Sequence, residues 1–107
     1  MRSKYEIVAD KELRSQGYLV DYKIRPSGFR NPINYSVDYL GNFDLLAYKE
    51  GEPLRFISIK GHGGVPGEHR RNIENMKFIS GIQKEIWHYI INTKDRRTYR
   101  AIKEIIR

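Results

Sequence analysis

The sequence has no cysteine among its 107 residues, and this absence excludes several kinds of chemistry at once. Disulfides, thiolate catalysis and cysteine-ligated zinc sites all need a thiol that the chain lacks. No apolar run approaches the roughly 20 residues that a membrane-spanning helix requires. The N-terminal segment MRSKYEIVADKELR is charged throughout, which predicts that it is not a signal peptide. We therefore expect a soluble, cytoplasmic protein that does not enter a membrane.

Acidic residues are comparatively few. The chain has 13 Asp and Glu against 20 Lys and Arg, which gives a formal net charge of +7. A basic balance of this size favours a polyanionic partner, with nucleic acid first and an anionic membrane surface second. The alternative is a surplus of solvated Lys and Arg that serves no partner.

The length of the chain predicts a single domain spanning residues 1–107. Such a domain can form a real core but cannot hold separate catalytic and substrate domains. A large substrate must then bind on the surface or across an oligomer. Because a domain of this size cannot enclose a duplex alone, we expect a homodimer if the partner is DNA.

The spacing of apolar residues predicts alternating helices and strands. Ser3 followed by Glu6 is a capping-box pattern that begins the first helix, and Gly17 ends it. Regular alternation then predicts strands, and clusters of Gly, Pro and Asn predict loops. The predicted elements are a helix over 3–16, a strand over 18–24, a long loop over 25–42, a hairpin over 43–60, a helix over 68–80, a strand over 84–93 and a final helix from 95 onward.

This order predicts an α/β fold with a small mixed sheet flanked by helices. Three consecutive strands form a meander, and a crossover helix places the fourth strand parallel to a neighbour. The full order is helix, strand, strand, strand, helix, strand, helix. Apolar stripes at helical spacing are expected to face the core. They are Ile73, Met76 and Ile79 in the second helix, and Tyr99, Ile102 and Ile106 in the last.

The hairpin FDLLAYKEGEPLRFISIK, residues 43–60, carries polar groups where a half-buried strand normally has apolar ones. With Gly51 at the centre of the turn, Asp44 lies opposite Ser58. Because side chains alternate between the two faces of a strand, Asp44, Ser58 and Lys60 then share one face. An acid, a hydroxyl and an amine therefore converge at the open end of the hairpin. They form either a reactive site or a partly buried ion pair between Asp44 and Lys60.

This order of elements, with an acid opening the second strand and a lysine ending the third, resembles the core of the PD-(D/E)xK nuclease superfamily. Within the superfamily, the chain resembles the archaeal Holliday-junction resolvases. Glu6 matches their acid in the first helix, Ser27 and Gly28 match their loop, and Asp44 and Lys60 match the strand acid and lysine. The resemblance implies a restriction-endonuclease-like core. It also implies a metal-dependent DNA endonuclease, a hydrolase of phosphodiesters that selects particular DNA structures.

Two positions of the motif differ, because Ser58 occupies the place of the second acid and Phe43 stands before Asp44 in place of proline. The loss of the second acid has two interpretations. The protein is an inactive nuclease fold that binds nucleic acid, or the following helix supplies the missing carboxylate, as in some similar restriction endonucleases. Glu74 is the candidate for that carboxylate, and Glu68 is a second.

The resemblance implies Mg²⁺ or Mn²⁺ as the cofactor. Asp44, the carbonyl of Ile59 and either Glu74 or Glu6 are the implied ligands, and one or two carboxylates satisfy magnesium. Lys60 would orient the water that the metal activates. The capping box is the alternative explanation for Glu6.

Further basic and polar residues are expected to surround the site and to contact the phosphates of DNA. The glycine-rich segment 61–67 forms an adaptable rim, and His62 within it contacts phosphate or has no role. A solvated loop, or a surface that binds another protein subunit, is the alternative. The expected DNA contacts are Arg25, Ser27, Arg30, His62, Arg70 and Arg71.

Overall fold

The computed structural model describes residues 3–25, 35–37, 39–61, 63–92, 94 and 98–107. Within these ranges the chain forms a mixed α/β fold. The elements in chain order are α1 (Lys4–Ser15), β1 (Leu19–Asp21), β2 (Lys23–Arg25), β3 (Tyr35–Val37), β4 (Leu45–Tyr48), β5 (Leu54–Lys60), α2 (Gly67–Asn75), β6 (Ile82–Ile91) and β7 (Tyr99–Ile106).

Helix α1 begins and ends as the sequence predicts. The side chain of Ser3 accepts a hydrogen bond from the Glu6 amide, and the Glu6 carboxylate accepts one from the Ser3 amide. This reciprocal pair satisfies two amides that the first turn of a helix leaves open. Gly17 follows the helix with φ +91, a left-handed conformation that glycine adopts without a Cβ clash. Ala9 and Leu13 are fully buried and dock the helix on the sheet.

The main sheet has five strands in the order β1-β4-β5-β6-β7. Strands β4 and β5 form the predicted antiparallel hairpin, and β6 lies parallel to β5 after the crossover through α2. The predicted mixed sheet with helices on its faces is therefore confirmed. The predicted order of elements is wrong in two places.

The strand predicted over 18–24 is two short strands in different sheets. β1 pairs with β4, whereas β2 pairs with β3, which lies inside the segment predicted to be a loop. β1 ends at Asp21, opposite Leu46 and close to the start of β4 at Leu45, and the chain then enters the second sheet.

The prediction of a final helix is also wrong, because residues 99–106 form the strand β7. It pairs antiparallel with β6 from Lys84 opposite Ile106 to Ile91 opposite Tyr99. The apolar positions fit a strand as well as a helix, and β6 provides eight residues of open edge to pair with. Tertiary pairing therefore decides the structure. Ile106 is buried as expected, but Ile102 is 47% exposed.

Helix α2 is shorter than predicted and ends at Asn75 instead of Ser80. The ammonium of Lys84 lies beneath its last turn. It donates to the carbonyls of Ile73 at 2.8 Å, Glu74 at 3.3 Å and Met76 at 2.8 Å. The Ile73 carbonyl also accepts from the Met76 amide, but the last carbonyls of a helix have no partner in a following turn, so the lysine stabilises termination at this point.

The chain therefore leaves the helical path before Ile79. Ile73 is buried as predicted, but Ile79 is 77% exposed, and its predicted place in the core is wrong.

Apolar clusters cover both faces of the main sheet. On the face of α1, buried residues of the sheet strands meet Ala9 and Leu13. On the face of α2, Ile73 packs with Phe43, Ile86 and Ile106. The central position predicted for the strand now labelled β6 is thereby confirmed. No helix in the described ranges is long and apolar enough to cross a membrane.

Candidate functional site at the carboxyl end of the sheet

Strand directions bring several polar residues to one end of the sheet. β5 and β6 are parallel and finish together, with Lys60 paired with His88. β4 runs the other way and begins there, after Asp44, while β1 finishes there at Asp21. We call this region, formed by Asp21, Asp44, Lys60 and His88, the carboxyl end. In α/β sheets such ends commonly hold ligand sites, because loops and helix starts surround them.

The predicted register of the hairpin is confirmed. Leu46 is paired with Phe56 and Leu45 with Ile57, which continues to Asp44 beside Ser58. The Asp44 amide donates to the Ile57 carbonyl at 2.9 Å.

The carboxylate of Asp44 accepts a hydrogen bond from the Ile59 amide at 2.6 Å. A charge-assisted hydrogen bond of this kind fixes the orientation of an acid. Asp44 is therefore held against the backbone of β5. Lys60 is half-buried at the end of the same strand and forms no ion pair with any described carboxylate, so the structure does not support the interpretation of Asp44 and Lys60 as an ion pair.

Ser58 is fully buried and pairs with a histidine that sequence reasoning did not assign to the site. Its Oγ lies 2.7 Å from Nε2 of His69, in the first turns of α2. His69 precedes Ile73 by four residues, so both lie on the same face of the helix. Since Ile73 was predicted to face the core, that spacing was the signal that His69 also points toward β5.

The start of α1 is docked at the carboxyl end through Gly61. A Cβ on Gly61 would lie 2.8 Å from Cε2 of Tyr5, closer than side chains pack, so only glycine fits against this ring. The contact holds the first turn of α1, including Glu6, near the end of β5. Glu6 is only 7% exposed, and its predicted role in the capping box is confirmed.

Tyr39 adds a further contact near this end. Its hydroxyl donates to the carboxylate of Asp21, an acid that the sequence did not single out. Burial raises the pKa of Tyr39 above its ordinary value, and the hydrogen bond to Asp21 and its charge raise it further. The phenol therefore remains protonated and continues to donate.

The candidate replacement acid lies elsewhere. Glu74 is exposed and borders a cavity of about 320 Å³ that is also lined by Lys77, Ile82 and Lys84. This cavity lies toward the amino end of β6, away from Asp44 and Lys60. Glu68 is exposed in the first turn of α2. In the described part of the chain, no three His, Asp or Glu residues are grouped closely enough to hold a metal ion.

The described donors do not fit a magnesium centre. Mg²⁺ needs near-octahedral oxygen coordination and is usually held by one or two carboxylates. Here the Asp44 carboxylate is bonded to the Ile59 amide, and the position of the second acid is a hydroxyl bonded to His69. The described residues at this position therefore do not form a set of metal ligands.

The expected DNA contacts divide into three groups. Arg70 is bound to Glu104 through two hydrogen bonds, one of 2.9 Å, and this contact lowers the pKa of Glu104 below its ordinary value. Arg71 is exposed and lies close to Gly67 at the start of α2. The side chain of Arg25 lies outside the described part of the structure, as do the residues Ser27, Arg30 and His62.

Comparison with protein-family models, with curated proteins and with solved structures found no match to this chain.

Proposed function

We propose that this protein binds nucleic acid at the carboxyl end of its sheet, in a domain that is similar in architecture to the PD-(D/E)xK nucleases. The similarity is supported by the succession of α1, the antiparallel strands β1, β4 and β5, the crossover α2 and the parallel strand β6. The strand pair β2 and β3 and the added strand β7 lie outside that succession.

The observation that favours binding over cleavage is the contact between Ser58 and His69. Where the nuclease motif has a second acid, this chain has a fully buried hydroxyl that is occupied by a helix side chain. A buried hydroxyl is a poor ligand for a hard divalent cation. Lys60 remains at the carboxyl end, where its ammonium can contact a phosphate without a metal.

Two described cations near this end can contact phosphates. In the described residues, four cations are held in ion pairs: Arg14, Arg55, Arg70 and Lys103. Lys60 and Arg71 are not among them. Both can therefore neutralise phosphates, and each such contact releases counterions from the nucleic acid.

The proposal is tested by measuring affinity for single-stranded, duplex and branched DNA at low salt, with a chelator present. Lys60→Ala should weaken binding to every sequence of a given DNA structure to a similar degree, because a phosphate contact carries no base information. Lys11→Ala, which removes an exposed lysine of α1, is the matched control and should bind as the unaltered protein does. Equal affinity of the two variants would contradict the proposed site.

A metal-dependent DNA endonuclease is the second candidate. It is favoured by the convergence of Asp44 and Lys60 at one end of the confirmed hairpin register. Under this candidate, Asp44, the Ile59 carbonyl and Glu6 would hold Mg²⁺ or Mn²⁺, because Glu74 lies beside a cavity toward the amino end of β6. Cleavage of branched or duplex DNA with either ion, lost in Asp44→Ala, would establish it. Cleavage that persists in Asp44→Ala would exclude the assigned residues.

A further inference from the structure

Strand β7 ends the main sheet on one side. It pairs with β6 over eight residues, and in the described ranges no strand pairs with its other side. A strand in this position presents a row of amide and carbonyl groups that can pair with another chain. At the opposite side of the sheet, β1 offers only three residues.

The hydrogen-bond ladder shows which groups of β7 point outward. The Asn92 amide donates to the Thr98 carbonyl at 2.9 Å, so residues 98, 100, 102, 104 and 106 bond toward β6. In an antiparallel ladder, alternate residues bond to opposite sides. The amides and carbonyls of Tyr99, Ala101, Lys103 and Ile105 therefore point away from the sheet.

Two isoleucines of β7 are about half exposed. Ile102 and Ile105 are each 47% exposed, and they lie on opposite faces because side chains alternate along a strand. A long edge strand that carries apolar side chains on both faces is a template for strand addition. A partner strand that pairs with this side of β7 would need apolar residues opposite Ile102 and Ile105.

We propose that β7 pairs with β7 of a second copy of this chain, antiparallel and about a two-fold axis at Ile102. A two-fold axis normal to the sheet keeps each face on the same side, so residues of equal parity meet. This register places Ile102 against its own copy and Arg100 against Glu104 of the second copy. It also places Tyr99 against Ile105 of the second copy, so both exposed isoleucines gain apolar partners.

Charge pairing and the overlap of the two strands distinguish the register centred on Ile102 from registers centred on neighbouring residues. An axis at Lys103 places two lysines side by side, and an axis at Glu104 does the same with two glutamates. Like charges directly opposite each other destabilise a sheet. An axis at Ala101 places Ile105 beyond the end of the opposing strand. Only the axis at Ile102 gives opposite charges across the interface together with apolar contacts on both faces.

The proposed interface also fits the existing contacts of β7. Lys103 is turned over the sheet, with its ammonium bound to Glu12 and 4.3 Å from the ring centre of Trp87, and it faces only the small Ala101 of the second copy. Glu104, already bound to Arg70, would lie between two arginines. The ladder would add roughly eight backbone hydrogen bonds, two for each hydrogen-bonded pair. This pairing does not depend on nucleic-acid binding.

The absence of cysteine permits a direct test of the register. Residues opposite each other in a non-hydrogen-bonded pair have Cα atoms about 4.5 Å apart, which is within the range of disulfides. Ile102→Cys should therefore form a disulfide-linked dimer under mild oxidation. Ile105→Cys is the matched control, since its exposure is the same but its copies would lie about 20 Å apart in this register.

A second measurement does not depend on cross-linking. Analytical ultracentrifugation should show a dimer for the unaltered protein, a shift toward monomer for Ile102→Lys and no shift for Ile79→Lys, which alters an exposed isoleucine outside β7. Circular dichroism checks that each variant is folded. A monomer at all concentrations, or cross-linking of Ile105→Cys as strong as that of Ile102→Cys, would overturn the proposal.

Discussion

At the scale of single residues, the contact between Ser58 and His69 defines the candidate site. Ser58 is fully buried, so water cannot reach its hydroxyl. The hydroxyl therefore depends on His69 for a hydrogen-bond partner. Removing one partner of a buried hydrogen bond costs more than removing both, because the remaining group is left unsatisfied. The energetic coupling of the two side chains can therefore be measured.

We expect His69→Ala to lower the free energy of unfolding by about 1–3 kcal/mol, the cost of an unsatisfied buried group. In a background of Ser58→Ala, the same substitution should cost less. A double-mutant cycle measured by denaturant unfolding gives the difference directly. Additive effects of the two substitutions would show that the hydrogen bond contributes nothing to stability.

The raised pKa of Tyr39 predicts how the stability of the protein changes with pH. Burial and Asp21 raise its pKa, so the folded protein keeps a proton that the unfolded chain loses above pH of about 10. The unfolded state then binds fewer protons, and stability must fall as pH rises further. Unfolding measured from pH 8 upward should show this decline, and Tyr39→Phe should make it less steep. An unchanged slope in Tyr39→Phe would contradict the assignment.

At the scale of elements, Lys84 links the central strand to the end of α2. Its ammonium, on a residue only 7% exposed, donates to three carbonyls of the helix end. Lys84→Met keeps the volume of the side chain but removes the donor that these acceptors share. We expect it to lower the free energy of unfolding by about 2 kcal/mol and to speed amide exchange in α2.

The matched control for Lys84→Met is Lys77→Met, which changes an exposed lysine in the segment after the helix. Its stability should remain within about 0.5 kcal/mol of the unaltered protein. Equal effects of the two substitutions would show that Lys84 does not stabilise the helix end.

The elements also show which parts of the fold the sequence could predict. The capping box and the hairpin register depend on neighbouring residues, and both are confirmed. The end of α2 depends on Lys84, which lies on another element. The formation of β7 as a strand depends on the open side of β6. Local periodicity cannot detect such partners.

The candidate site also has residues that neighbouring sequence could predict and residues that depend on distant elements. Asp44 and Lys60 could be placed from the hairpin alone, since alternation fixes their face. To assign His69 to the site, one must know which face of α2 packs on β5. To assign Asp21, one must know where β1 ends. Glu74 lies on α2 as predicted, but it is exposed near the end of the helix and borders a cavity toward the amino end of β6, away from Asp44.

At the scale of the whole molecule, charge and assembly are separate properties with separate tests. The net charge of +7 makes a polyanion the favoured partner, and ion pairs already hold four of the described cations. Pairing through β7 would place the two-fold axis two strands away from Lys60, since Lys60 is paired with His88 and His88 with Ile102. No residue of β7 is proposed to contact nucleic acid, so a monomeric variant should still bind it, with lower avidity for long DNA.

The most direct test of nucleic-acid binding at the carboxyl end is the salt dependence of affinity for a short duplex in the presence of a chelator. The logarithm of affinity should fall linearly with the logarithm of salt concentration, and Lys60→Ala should reduce the slope by about 1. Lys11→Ala should leave the slope unchanged. Absence of binding at low salt, or equal slopes for the unaltered protein and Lys60→Ala, would contradict the account.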